Sequence, residues 1–113
     1  MPHRRYLLAA AVVLLAAPAA RADSIDGHWC FADGRQMAID GPKITVPSGR
    51  QFTGDYDRHG FRYTVPAGEP GAGGQVVMTL MGEYRVDVRR LAAGGAAGDA
   101  PAEVWRRCGA PVS

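Results

Sequence analysis

Cys30 and Cys108 are the only cysteines in a chain of 113 residues, and each lies close to a tryptophan, in Gly27-His28-Trp29-Cys30 and in Trp105-Arg106-Arg107-Cys108. No other feature restricts the fold so tightly. In an oxidising compartment two such thiols pair, and a bond between Cys30 and Cys108 ties the first structured segment to the last. Closing a loop of that length constrains the unfolded chain by about 4 kcal/mol in the chain-entropy model. For a small domain this is a large share of the net stability. The same bond withdraws both sulfurs from nucleophilic chemistry.

The N-terminus supplies the compartment. His3-Arg4-Arg5 is a short basic region, Tyr6 to Ala17 is apolar, Pro18 breaks the run, and Ala20-Arg21-Ala22 has the small-x-small form of a leader-cleavage site. The expected organisation is a signal peptide over 1–22 and a single small β domain over 23–113. The apolar run of about 12 residues falls short of the roughly 20 that span a bilayer. Asp23, not a cysteine, follows the expected cleavage point, which argues against a lipid anchor. Arg4, Arg5 and Arg21 leave with the leader, so ten of the 13 basic residues face all 11 acidic ones and the formal charge falls from +2 to −1. That balance calls for neither nucleic acid nor an anionic membrane as partner, and no stable membrane insertion is expected after cleavage. A bacterial periplasmic or secreted protein is the expectation.

Beyond the leader, short runs of alternating polarity are separated by Gly and Pro, and no sustained helical period appears. Trp29 and Phe31, Met37 and Ile39, Ile44 and Val46, and Phe52 and Tyr56 mark the apolar faces of the first four runs. Phe61, Tyr63 and Val65, then Val76, Met78 and Leu80, then Tyr84, Val86 and Val88 mark the next three, and Ala102 to Arg107 is the last. Asp33-Gly34, Asp40-Gly41-Pro42, Pro47-Ser48-Gly49 and His59-Gly60 supply turns. About eight short strands at this spacing predict an all-β fold, a meander, barrel or sandwich, with a small antiparallel barrel the leading choice. Eight strands close around an interior that side chains fill or that holds one small ligand. Closure would set the first strand beside the last, with the disulfide at that seam.

Gly27-His28-Trp29 resembles the Gly-x-Trp start of the lipocalin-like barrels, a resemblance that implies a tryptophan packed across one closed end and an arginine, Arg106 or Arg107, covering it. The segments Ile25 to Cys30, Gly54 to Phe61 and Glu103 to Cys108 resemble a family of small exported alphaproteobacterial proteins. That resemblance implies compartment and compactness and brings no activity with it. Short periplasmic barrels with one disulfide and a Gly-x-Trp start also include inhibitors of secreted metalloproteases, but no inhibitory segment of theirs maps onto this chain.

Polar candidates for a site fall in two groups. Asp55, Asp57, Arg58, His59 and Arg62 form the densest cluster. In a hydrolase, Asp57 would orient the His59 imidazole for acid–base work; in a plain hairpin, Asp57 accepts turn hydrogen bonds and His59-Gly60 makes the bend. No serine or cysteine nucleophile accompanies them, so no catalytic set is assigned. Arg85 and Arg106, with Arg89, Arg90 and Arg107, suit an anionic ligand or partner, unless Asp87 and Glu103 neutralise them across strands. His28 and His59 lack any zinc-ligand spacing, and the Gly68 to Gly74 stretch lacks the ending of a phosphate-binding loop. No cofactor or metal is implied. The leading expectation is a non-enzymatic binding module for a small ligand or protein, followed by an inhibitor or chaperone-like partner of another exported protein, and then by a hydrolase.

Overall fold

A computed structural model describes residues 24–95 and 101–110; the leader assigned to 1–22 lies outside the described residues. The described residues form nine strands: β1 (Gly27–Cys30), β2 (Gln36–Asp40), β3 (Lys43–Thr45), β4 (Gln51–Thr53), β5 (Asp55–Asp57), β6 (Gly60–Thr64), β7 (Gln75–Gly82), β8 (Arg85–Leu91) and β9 (Ala102–Arg107). They make one antiparallel sheet in the order β4-β3-β2-β1-β9-β8-β7-β6-β5. The two edges of that order, β4 and β5, are separated in the chain by Gly54 alone. The run 51–57 is therefore one strand bent at its middle. Its first half pairs with β3, Ile44 opposite Phe52, and its second half with β6, Tyr56 opposite Phe61. The sheet rolls into a nearly closed barrel, an up-and-down meander. The expected fifth-to-last run thus counts as two strands, because β6 crosses too near at Gly54 for the ladder to continue. A Cβ at Gly54 would lie 2.7 Å from the Arg62 carbonyl oxygen and 2.6 Å from Phe61 Cε1. Across the bend the Gly54 amide donates to the Pro42 carbonyl at 2.9 Å.

The other seam joins β1 to β9. It is the shortest ladder in the sheet but for one further bond, with Trp29 opposite Arg107 and Cys30 opposite Arg106 and the Cys108 amide donating to the His28 carbonyl at 2.9 Å. Here the Cys30–Cys108 disulfide forms, with an S–S distance of 2.08 Å and Cα atoms 5.1 Å apart. A stable cystine belongs to a protein held outside the reducing cytoplasm. Among the described residues no helix is long and apolar enough to cross a membrane.

Strand alternation fills the barrel. Trp29, Met37, Ile39, Ile44, Phe61, Tyr63, Val76, Met78, Val86, Val88 and Trp105 are buried together, each on the inward phase of its strand, and Val46 joins them just past β3. One aromatic departs from expectation. The β7–β8 ladder shifts register between Leu80 and Gly82 and closes with Gly82 opposite Arg85, so Tyr84 falls in the turn and is exposed, as is Met81.

Both seams generate tests. Gly54→Ala should destabilise the domain by about 1–3 kcal/mol, the range for overpacking a fitted site, read from urea denaturation. Replacing both cysteines by serine should remove about 4 kcal/mol and leave the strand content intact in whatever fraction remains folded. A double variant as stable as the parent would mean that the β1–β9 ladder holds without its covalent tie.

Candidate functional site at the open end of the barrel

The two ends of the barrel differ because the strands carry different residues on their inward phase at each end. At one end the chain enters through Ser24–Asp26. Ile25 is fully buried, its amide donating to the Arg58 carbonyl at 2.8 Å. Its carbonyl accepts the Trp29 indole N–H at 2.9 Å. The Asp26 carboxylate accepts from the Ser24 and Tyr56 hydroxyls and from the Gly41 amide at 2.6 Å. Over this plug lies Arg107, with Cζ 4.3 Å from the Trp29 ring centroid. Its nitrogens donate to the carbonyls of Glu83 (2.8 Å), Asp26 (2.8 Å) and Ser24 (3.0 Å). Of the two arginines considered from sequence, Arg107 covers the tryptophan, and Arg106 points to the outer face. Gly27 makes room for it: φ is 129°, and a Cβ there would meet Arg107 Nη1 at 2.6 Å. This end is sealed.

Among the described residues the opposite end is open. The loops after β1, β3 and β6 surround a cavity of about 440 Å3 whose walls include Val46, Phe52, Tyr63, Val65, Pro66 and Pro70, with Arg35, Ser48, Glu69 and Arg90 as its polar groups. Its size falls within the usual range of small-molecule sites. Two contacts tie the rim together: Ser48 Oγ donates to the Glu69 carboxylate at about 3.0 Å, and Arg50 Nη1 donates to the Ala67 carbonyl at 2.7 Å. Tyr63 packs edge-on against Phe52, ring centroids 4.9 Å apart. Burial raises the Tyr63 phenol above its ordinary pKa, partly offset by the neighbouring Arg90 and reinforced by Glu69.

Charges at the mouth are unequally committed. Arg35 donates to Asp33 at 2.8 Å and to Glu103 at 2.9 Å, and its guanidinium lies over the rings of Phe31 (4.6 Å) and Trp105 (5.3 Å). Glu103 also accepts the Trp105 indole N–H at 3.2 Å and sits 3.5 Å from Arg90 Nε. Burial pushes the Glu103 carboxyl up, but Arg35, Trp105 and Arg90 together outweigh it and hold the pKa below its ordinary value.

The residues singled out from sequence lie elsewhere. Asp55 and Arg62 face each other across β5 and β6 and, with Asp57, border a shallow outer depression of about 320 Å3. The strand ends at Asp57, and its carboxylate accepts the His59 backbone N–H at 2.7 Å. That is the hairpin arrangement of the two alternatives weighed from sequence, with Arg58 and His59 forming the bend and the Asp57 carboxylate engaged by a backbone amide. Arg85 and Arg106 are opposite one another on the outer face, and Arg85 is bound to the buried Asp87 at 2.8 Å. Gly60, Thr79 and Asp87 lie in one row across β6, β7 and β8, so the Asp57 turn and the Asp87 pair are about 14 Å apart at the usual strand spacing. The two groups do not converge. The expected arginine patch also divides, because Arg90 and Arg107 take the inward phase at opposite ends.

Sequence reasoning missed Arg35, Ser48, Tyr63 and Glu69 as site residues and gave Arg90 no special place. One signal was available: Arg90 continues the inward series Val86, Val88, and Glu103 begins the inward series that runs through Trp105. A charge on the inward phase at a strand end marks a barrel mouth. Among the described residues no group of three or more His, Cys, Asp or Glu side chains is arranged to hold a metal ion. Comparison with protein-family models, with curated proteins and with solved structures finds no match to this chain.

The depressed Glu103 pKa fixes the sign of a pH effect. A carboxyl whose folded pKa lies below its unfolded value of about 4.3 stabilises the fold at neutral pH and loses that contribution as the pH falls through the folded value. Glu103→Gln should therefore lower the thermal midpoint at pH 7, and the gap to the parent should narrow at pH 3. A gap that stays constant between these pH values would remove Glu103 from the acid response.

Proposed function

We propose that this protein is an exported, non-enzymatic binding module that holds a small molecule in the open end of its barrel. The observation that carries the reading is the asymmetry of the two ends: a plug capped by Arg107 and Trp29 at one, and at the other an apolar-walled cavity of about 440 Å3. A leader-like N-terminus and the cystine support a periplasmic or secreted location. A disulfide-bonded barrel presents a largely preformed site, which keeps the ordering cost of binding low. The hydrolase alternative draws less support, since the Asp57 carboxylate is engaged by a turn amide. A protein-partner role finds its best surface at the β7–β8 turn, where Met81 and Tyr84 are exposed, but that patch is small beside what a stable interface buries.

Native mass spectrometry of protein recovered from the cell envelope should show a retained small-molecule adduct. Val65→Trp, which puts an indole into the cavity, should abolish it, and so should Ser48→Trp at the rim, a substitution of an exposed residue. An adduct retained at full occupancy by both folded variants would place binding somewhere else.

A further inference from the structure

We propose that the molecule held at the open end is a monoanion with an apolar body, its charged head seated against the adjacent Arg90 guanidinium and Tyr63 hydroxyl. The inference deepens the binding reading above and rests on it. Three observations carry it. First, Arg90 and Tyr63 are both register partners of Val76, one on each neighbouring strand. All three positions share the inward phase, so a guanidinium and a phenol that both line the cavity flank one buried apolar residue.

Second, Arg90 is the less committed of the two cations that line the cavity. Arg35 is bonded to Asp33 and Glu103 and covered by two aromatic rings. Among the described residues the ion pair of Arg90 is a single 3.5 Å approach of Nε to Glu103, and its guanidinium also lies within hydrogen-bonding reach of the Tyr63 hydroxyl. That carboxylate already accepts shorter bonds from Arg35 and Trp105. A guanidinium presents its donors in a planar fork suited to carboxylate-type oxygens, and a tyrosine hydroxyl adds one more donor.

Third, Glu69 also lines the cavity, held by Ser48. It disfavours a second negative charge on the ligand and directs the head toward Arg90. The remaining wall, Val46, Phe52 and Val65, offers nothing but apolar surface to the ligand's body. With 44% of its side chain exposed, Arg90 is partly screened by water, so the expected selectivity is moderate, about tenfold for one charge-assisted contact.

The test uses a matched pair of fluorescent probes on the full disulfide-bonded protein: 1-anilinonaphthalene-8-sulfonate and its uncharged counterpart N-phenyl-1-naphthylamine. The parent should bind the sulfonate about ten times more tightly, and Arg90→Gln should bring the ratio of the two affinities to about one, with Arg90→Lys between. Thermal midpoints of the variants report whether they fold. If the neutral probe binds the parent as well as the sulfonate does, the anion preference is overturned while the cavity reading stands. If the preference survives in folded Arg90→Gln, the assignment to Arg90 is overturned. If neither probe binds, or Val65→Trp binds both as the parent does, the cavity reading itself fails and this inference with it.

Discussion

Joining both edges of a single short-stranded sheet is the constraint on which the rest of this structure depends. A sheet of nine strands with three to eight residues each has little interior until it curls, and its open edges would present unpaired backbone groups. Two devices close it. At the β1–β9 seam the Cys30–Cys108 bond covalently ties a short ladder. At the opposite seam one strand serves both neighbours by bending at a residue without a side chain. The first device acts largely on the unfolded chain by shortening its reach. The second acts on the folded state, through close approach of two backbones. A domain this small needs both kinds of help.

Closure converts strand alternation into depth. Once the sheet is a barrel, every inward position belongs to a level between mouth and floor, and β9 is a section through all of them. Glu103 lies at the mouth, Trp105 in the middle, and Arg107 at the floor. The same residue type does opposite work at the two levels. Arg107 is saturated by three carbonyls and an aromatic face, which makes a lid. Arg90 makes one long ion pair and adjoins the Tyr63 hydroxyl beside a cavity, which makes it part of the mouth's wall. Chemistry alone does not separate these arginines; the number of fixed acceptors around each one does.

Charges on the outer face have a more local role. Asp33 pairs with Arg35 two residues away, Asp87 with Arg85 two residues away, and Asp57 caps its own turn. Such pairs at the surface are individually weak, but each satisfies a polar group where a strand begins or ends. The densest polar cluster in the sequence is thus a hairpin end. The site-like convergence of polar groups lies at the other end, assembled from Arg35, Ser48, Tyr63, Glu69 and Arg90, which are scattered along the chain.

Period-two alternation, turn residues and the two cysteines were enough to determine, by themselves, an all-β meander closed by one disulfide with most of its core residues identified. These are local signals: alternation reports which side of a strand is buried, and a lone pair of cysteines in an oxidising compartment has one way to pair. Tertiary structure alone decided that Gly54 splits a strand, that Arg107 and not Arg106 covers Trp29, and that the mouth belongs to Arg90 and Tyr63. Each of those depends on register between strands distant in sequence and on the direction in which the sheet curls. No window of neighbouring residues contains that information, because the free energy that selects one register is spread over contacts made only after the barrel has closed.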